Sequence, residues 1–436
     1  MFKKWIDLGL KKGLEALEIY GVTNKSLALQ VYQGKLDKHV QSSVTAITIK
    51  GIYQGNAATV SFEKITDQTA DYMLDKLIDA TKAITVNEPA LIYEGSKEYP
   101  KVESNTFDFS NIDFNQKFNL LKDLESKIAE NKLCKQVQMT VYQEVAVETV
   151  LVNSKGLNLS RNYTYAYAGA VGVFQKDADI KTAYDVKAVK NFSEFDVDAI
   201  AKKIVDKGVA AVGGESVKSA IYPTVFSKEM FANIIQVFTT IFSGETAFRN
   251  LSPLKDKVGE QIAVSEFTLI DDPLNKEAFF QNAFDDEGVA CATRSIIEGG
   301  VFKGFMHNLK TATIFNVEPT GNGFGGGISP SNLYLKPGIK TFDETIATIK
   351  DGIYITDLAG LHSGVKPVSG DFSLQAGGFK IENGKITTPV KMIVVSGNLF
   401  KMLNNIQTIG ADLEFGISGF GSPTVYVGDL SIAGEK

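Results

Sequence analysis

Phe284 to Asn308 reads FDDEGVACATRSIIEGGVFKGFMHN, and after a short helical piece Pro319 to Gly338 reads PTGNGFGGGISPSNLYLKPG. Gly288, Gly299, Gly300 and Gly304 punctuate the first segment. Between them apolar and β-branched residues recur at intervals of two, as with Val289 and Cys291, then Ile297 and Val301. A period of two around a double glycine predicts an antiparallel hairpin that turns at Glu298-Gly299-Gly300. The second segment is a glycine tract bounded by Pro319 and Pro330. Glycine at this density suits backbone that comes close to something, or that turns where a side chain would clash. From Val258 onward the chain keeps this grammar of short strands cut by Gly and Pro, with helices near Phe342 to Ile349 and Asn398 to Asn405. Many short strands with frequent turns predict a curved or barrel-like antiparallel β domain with a few helices.

Upstream of Val258 the text is different. Ala220 to Phe226 reads as a strand, and Phe231, Ile234, Ile235, Phe238, Ile241 and Phe242 sit at three- and four-residue steps on a helix. A helix from Val197 to Val212 and the Gly213-Gly214 pair mark the passage between two domains, 1–214 and 215–436. The first opens with a helix carrying Trp5, Leu8, Leu14 and Leu17 and ending at Gly21, followed by three strands as far as Phe62. A helix starting at Thr66-Asp67 presents Met73, Leu74, Leu77 and Ile78, and a second presents Phe118, Leu121, Leu124 and Ile128. Asn87 to Asn111 has no period and reads as an extended excursion. Two long strands flank Asn153 to Gly156, the second with Tyr163, Tyr165 and Tyr167 on one face. An antiparallel sheet flanked by helices makes this half, and the chain as a whole, α+β.

Composition narrows the function classes. With 436 residues, 44% hydrophobic and 22% charged, the chain is long enough for two cored domains. The net charge of −6, without any Lys/Arg block, removes the electrostatic footing for direct nucleic-acid binding. Apolar runs fall well short of the ~20 residues that cross a bilayer, and charges interrupt the N-terminal region where a signal peptide needs an apolar core. The expectation is a cytoplasmic protein without a membrane anchor. Two distant cysteines, Cys134 and Cys291, fit a reducing compartment.

Short motifs offer little chemistry. Gly321, Gly323 and Gly326 satisfy G-x-G-x-x-G, yet Pro330 follows where a dinucleotide site needs a helix. No phosphate loop is present, and Gly416-Ile417-Ser418-Gly419 fails the nucleophile-elbow pattern at Phe420. The three histidines, His39, His307 and His362, never share a helical turn. Asp285, Asp286 and Glu287 form a dense acidic cluster, while Asp357 and Asp371 sit in or beside turns. Such acids suit acid–base work or a hard cation, but acids beside glycine also commonly form turns, and no EF-hand spacing is met. Arg294, on the same expected hairpin, is placed to pair with one of them, and Cys291 reads as a small packed residue.

The blocks FDDEGVACATRSIIEGGVFKG, TGNGFGGG, PSNLYLKPG, SGDFSLQAGGFKIENGKITTPV and SGNLFKMLNNIQTIGADLEF follow in an order and spacing that resemble the TldD/PmbA family. The chain looks more like its PmbA (TldE) branch, formerly called modulators of DNA gyrase, which SPTVYVGDLSIAGEK near the end also resembles. The resemblance spans essentially the whole chain.

This resemblance implies a two-subunit peptidase. A TldD-type partner carries zinc on a helix with His-Glu-x-x-x-His, and the PmbA-type chain pairs with it to enclose a chamber for unfolded peptides. By this resemblance the corresponding helix should be Ser227 to Phe242, which holds no histidine; Lys228, Glu229, Asn233 and Gln236 cannot supply two imidazoles and a carboxylate base. No zinc and no catalytic residue is therefore expected in this chain, and zinc is expected in the partner. The expected chamber or interface residues are Asp285, Glu287, Arg294, Asn322, Gly325, Gly326, Asp371 and Asn398. The Gly299–Gly304 hairpin and Gly321–Gly327 loop are expected to line the chamber, where main-chain hydrogen bonds grip an extended peptide; tight turns of a curved barrel are the alternative reading. Heterodimer with the partner is the expected assembly, with a homodimer open for the isolated chain. Two other functions stand beside this one: an independent metal-dependent hydrolase with unrecognised ligands, and a non-enzymatic regulatory or binding protein.

Overall fold

The computed structural model describes residues 2–63, 66–84 and 88–435. The chain forms two compact units, Met1–Lys97 with Glu103–Val212, and Glu98–Val102 with Gly213–Lys436.

The first unit is built on six strands, β1 (Ala16–Tyr32), β2 (Lys35–Tyr53), β3 (Asn56–Phe62), β4 (Cys134–Asn153), β5 (Asn158–Lys176) and β6 (Asp179–Val189). They form one antiparallel sheet in the order β3-β2-β1-β4-β5-β6, with Tyr20 of β1 opposite Thr48 of β2 and Leu151 of β4. Because side chains alternate along a strand, this register turns one apolar row toward the helices. Leu17, Ile19, Ile47 and Ile49 share a core with Trp5, Leu74 and Leu77, and Phe174 shares another with Leu124 and Ile204. Lys117, buried on the helix Phe114–Ala129, meets Glu144 of β4 at 2.6 Å, so its charge enters the core with a partner.

Several boundaries depart from the expected ones. The first helix stops at Lys11, because Gly13 at φ +96° reverses the backbone and delivers Leu14 and Leu17 to the sheet. The second helix begins at Ala70 rather than Thr66. β2 runs 19 residues to Tyr53, so the third strand starts at Asn56, and β6 is not among the expected strands; it follows a reversal at Asp177, where φ is +53°. The excursion begins at Asn87, outside the described residues; beyond it the chain is irregular up to a 3-10 turn at Phe109–Asn111.

The second unit contains a barrel. Ala220–Phe226 lies parallel to Asp351–Ala359 and antiparallel to Val425–Ala433. Val425–Ala433 pairs with Lys385–Asn398, which pairs with Asp371–Glu382, and that strand returns to Asp351–Ala359, closing the ring. The expectation of a barrel-like β domain is met, with parallel pairings as a departure from a wholly antiparallel one. A second sheet sets Leu269–Asp271 between Arg294–Glu298 and Leu333–Leu335, and Leu333–Leu335 runs parallel to Phe420–Ser422.

The helix Lys228–Phe238 joins these layers. Ser227 caps it, its hydroxyl accepting from the Met230 amide at 3.3 Å. Phe231, Ile234, Ile235 and Phe238 then fall on one stripe, sharing an apolar cluster with Ile353 and Val425 of the barrel and with Leu269, Ile297 and Leu333 of the second sheet. Phe231 is fully buried and Phe238 nearly so, each contributing about 1.5–3 kcal/mol over an exposed ring. The stripe leaves Glu229, Gln236 and Thr240 exposed and Asn233 half-buried.

Candidate functional site

The expected hairpin is present but short. Arg294–Glu298 pairs with Val301–Phe302, and Gly299 and Gly300 turn the chain with φ of +56° and +79°. Two successive positive φ values are the requirement of a type I′ turn, which glycine meets without strain. Val289 and Cys291 fall outside the strand. Cys291 is buried, with its thiol 3.3 Å from the Gly321 carbonyl.

The glycine tract forms a closed loop. Phe324 and Ser329 both donate their amides to the Asn322 carbonyl at 3.0 Å, and Gly327 donates to Phe324 at 3.0 Å across a turn. The central residues of that turn, Gly325 and Gly326, have φ of +60° and +74°.

The acidic cluster anchors this loop. Asp285, fully buried, accepts from the Glu287 and Val289 amides through Oδ1 at 3.0 and 2.9 Å, and from the Gly323 amide through Oδ2 at 2.8 Å. Asp286 accepts from the Gly325 amide at 2.8 Å, and Glu287 from the Leu309 amide at 2.7 Å. Leu309 opens the helix Leu309–Phe315, so Glu287 satisfies one of the amides a helix start leaves without a partner. Burial pushes Asp285 up to about 7, against the three amides that favour its charged form.

A second buried network lies alongside. Asp271 accepts from the Ser331 and Asn332 amides at 2.9 and 3.0 Å and from Asn322 Nδ2 at 2.7 Å. Thr320 Oγ1 is 2.6 Å from Asn322 Oδ1 and accepts the His307 amide at 2.7 Å. Arg294 does not pair with the acidic cluster as expected. In the sheet it stands opposite Asp271, and its buried Nε has no hydrogen-bond partner among the described residues. Asp371 and Asn398 are elsewhere, on the barrel, facing one another across paired strands with Asn398 Nδ2 donating to Asp371 at 2.9 Å.

His307 is buried beside this network, and burial and then the Arg294 charge lower its pKa to about 4. Since the unfolded imidazole titrates near 6.5, the unfolded chain binds the extra proton between those values, and stability falls as pH drops from 6.5 toward 4. Asp285 acts oppositely, its raised pKa favouring the fold at the acidic end of its window. His307→Gln should therefore lose less stability than the parent between pH 6.5 and 4.5 in urea unfolding. Equal losses in the two proteins would show that the imidazole carries no part of the dependence.

Beside the glycine loop opens a cleft of about 630 Å³, within the size range of ligand sites. One wall is the end of the helix Lys228–Phe238 and its continuation, with Gln236, Thr239, Thr240 and Ser243; another is Gly326 to Pro330, with Phe420 closing the apolar side. Glu245, Arg249 and Lys310 supply its charge. The amides of Gly326 and Ile328 make no hydrogen bond among the described residues, leaving two donors two residues apart. Of the expected residues only Gly326 lines the cleft; Asp285, Glu287, Asn322 and Gly325 support the loop behind it. Glu245, Arg249 and Lys310 escaped sequence reading, although the four-residue step from Glu245 to Arg249 is a helical pairing signal.

Among the described residues no three His, Cys, Asp or Glu side chains are grouped to hold a metal ion. The zinc that the family resemblance implies needs imidazole or several carboxylates on one helix face. The helix Lys228–Phe238 offers there one carboxylate, Glu229, and the amides of Asn233 and Gln236, which do not fit that ion.

Comparison with known proteins gives two family-model matches: the PmbA/TldA metallopeptidase central domain over residues 107–212, and the C-terminal domain over 219–434. A Methanothermobacter thermautotrophicus metalloprotease is 31% identical over 243 residues, 54% of this chain and 53% of that protein. The chain thus matches only about half the length of that relative. An Archaeoglobus fulgidus metalloprotease is 27% identical over 445 residues, covering 95% of this chain and 96% of its own. Among solved structures, a Thermotoga maritima protein described as a candidate modulator of a DNA gyrase superposes with a TM-score of 0.91 at 28% identity, covering 99% of this chain and 100% of that one. TldE from Thermococcus kodakarensis shares the fold, with a TM-score of 0.89 at 22% identity over 99% of this chain and 100% of that one. No helix among the described residues is long and apolar enough to cross a membrane.

Proposed function

From the premise that this chain belongs to the PmbA/TldD metallopeptidase family, we propose that it is the zinc-free subunit of a cytoplasmic TldD/TldE-type peptidase. It binds unfolded peptide, and a TldD-type partner that carries the zinc cuts it, in maturation or degradation. The single observation behind this reading is the composition of the cleft wall. The helix that bears His-Glu-x-x-x-His in the partner type presents Gln236 and Thr240 here, without one imidazole.

What remains at the site suits holding a chain better than cutting it. The amides of Gly326 and Ile328 can donate to alternate carbonyls of an extended peptide, a grip indifferent to sequence. The acids behind the loop hold it in that shape, and the hydroxyls and amides across the cleft offer neutral contacts. None of these groups activates water, so bond cleavage is assigned to the partner subunit.

Co-expression with a TldD-type protein tests the proposal. A tagged form of this chain should retain the partner through size-exclusion chromatography, and an unfolded peptide should be processed by the pair much faster than by either protein alone. A partner equally active without this chain would overturn the assignment.

A further inference from the structure

We propose that the cleft takes the C-terminal carboxylate of a peptide, with Arg249 as its counter-charge; this rests on the reading that the chain handles unfolded peptide. Among the described residues Glu245 is the one acid lining the cleft, and it serves two cations. Its Oε1 takes Nε and Nη2 of Arg249, both at 2.7 Å, and its Oε2 takes Lys310 Nζ at 2.8 Å. Burial opposes the charged form of Glu245, but the hydrogen bonds from Lys310 and Arg249 outweigh it and hold its carboxyl below the usual range. At neutral pH the three side chains together carry one net positive charge, and among the described residues no second carboxylate lines the cleft.

Arg249 is the member free to take a further ligand. Its guanidinium spends Nε and Nη2 on Glu245, which fixes its plane, while the side chain stays 57% exposed with N–H donors left over. A planar fork of this kind matches a carboxylate in a way a point charge does not. Across the cleft Gln236 and Thr240 have no side-chain hydrogen bond among the described residues, and Ile328, Pro330 and Phe420 give an apolar floor. With the Gly326 and Ile328 amides along the remaining edge, the donors suit a peptide whose carbonyls run past the loop and whose chain ends in an anion. A terminal ammonium would meet the wrong sign.

The test uses the full chain and three labelled tetra-alanine probes: the free acid, the C-terminal amide, and an amide with one alanine replaced by glutamate. Fluorescence anisotropy at low salt should show the free acid binding about fivefold or more tightly than either amide, a preference that shrinks as salt rises. Arg249→Ala should bring the free acid to the level of the amide, and Arg249→Lys should restore part of the difference. Equal binding of acid and amide, absence of binding by all three, or a preference that survives Arg249→Ala would overturn the proposal. A glutamate-bearing amide that matches the free acid would overturn the choice of the chain terminus in favour of a side-chain carboxylate. Because the probes are read on this chain alone, failure here leaves the partner-dependent processing assay standing, and failure of that assay leaves the binding result standing.

Discussion

Replacing Asp285 by alanine should destabilise the C-terminal unit by about 3–5 kcal/mol, read as a fall in the urea midpoint. The carboxylate is fully buried and accepts from the amides of Glu287, Val289 and Gly323. Removing it strands three donors, each costing about 1–3 kcal/mol if left dry, and water entering the small void recovers part of the sum. Asp285→Asn keeps one oxygen acceptor and almost the same volume, so its expected loss is about 1–2 kcal/mol. The two variants separate hydrogen bonding from packing, since only the alanine variant opens space. A loss under about 1 kcal/mol in Asp285→Ala would mean that the glycine loop does not depend on this anchor.

Gly326→Val should lower processing by the reconstituted pair more than about tenfold while leaving assembly intact. The residue has φ of +74°, which a β-branched side chain tolerates poorly, and its amide is one of the two donors on the loop. Beyond its chain neighbours no atom lies within 4 Å of where a Cβ would stand, so the fold has room for the new group on a residue that lines the cleft. Gly326→Ala carries the left-handed strain with far less bulk, at about 1 kcal/mol, and should lose activity by a few-fold only. Full activity in the valine variant, with its melting point unchanged, would remove the loop from the peptide path.

How much of this was readable from the sequence varies by element. The Gly299-Gly300 turn was legible because two successive left-handed residues have a glycine signature that needs no tertiary help. The buried stripe of the helix Lys228–Phe238 was legible for a similar reason, since its period is local. Asp285 to Glu287 were recognisable as acids beside a turn, and the Glu287 and Val289 amides that Asp285 holds are local, but the partners beyond that turn, Gly323, Gly325 and Leu309, lie at least 22 residues away, and no local rule connects them. Arg294 was assigned a neighbour by sequence proximity, whereas strand register placed it opposite Asp271. The closed ring depends on Asp351–Ala359 pairing antiparallel with Asp371–Glu382 and parallel with Ala220–Phe226, and the second of these is a long-range contact that alternation within a strand does not announce. The cleft charges show the same limit: the step from Glu245 to Arg249 is local, and the bridge from Glu245 to Lys310 is made by the fold.

The central claim is that this chain holds peptide and leaves cutting to a zinc-bearing partner. Incubating the purified chain alone with an unfolded peptide, with and without a chelator, and following the products by mass spectrometry tests it most directly. The account predicts intact peptide under both conditions, with cleavage arising only when a TldD-type subunit is added. Cleavage by the isolated chain that the chelator abolishes would contradict it.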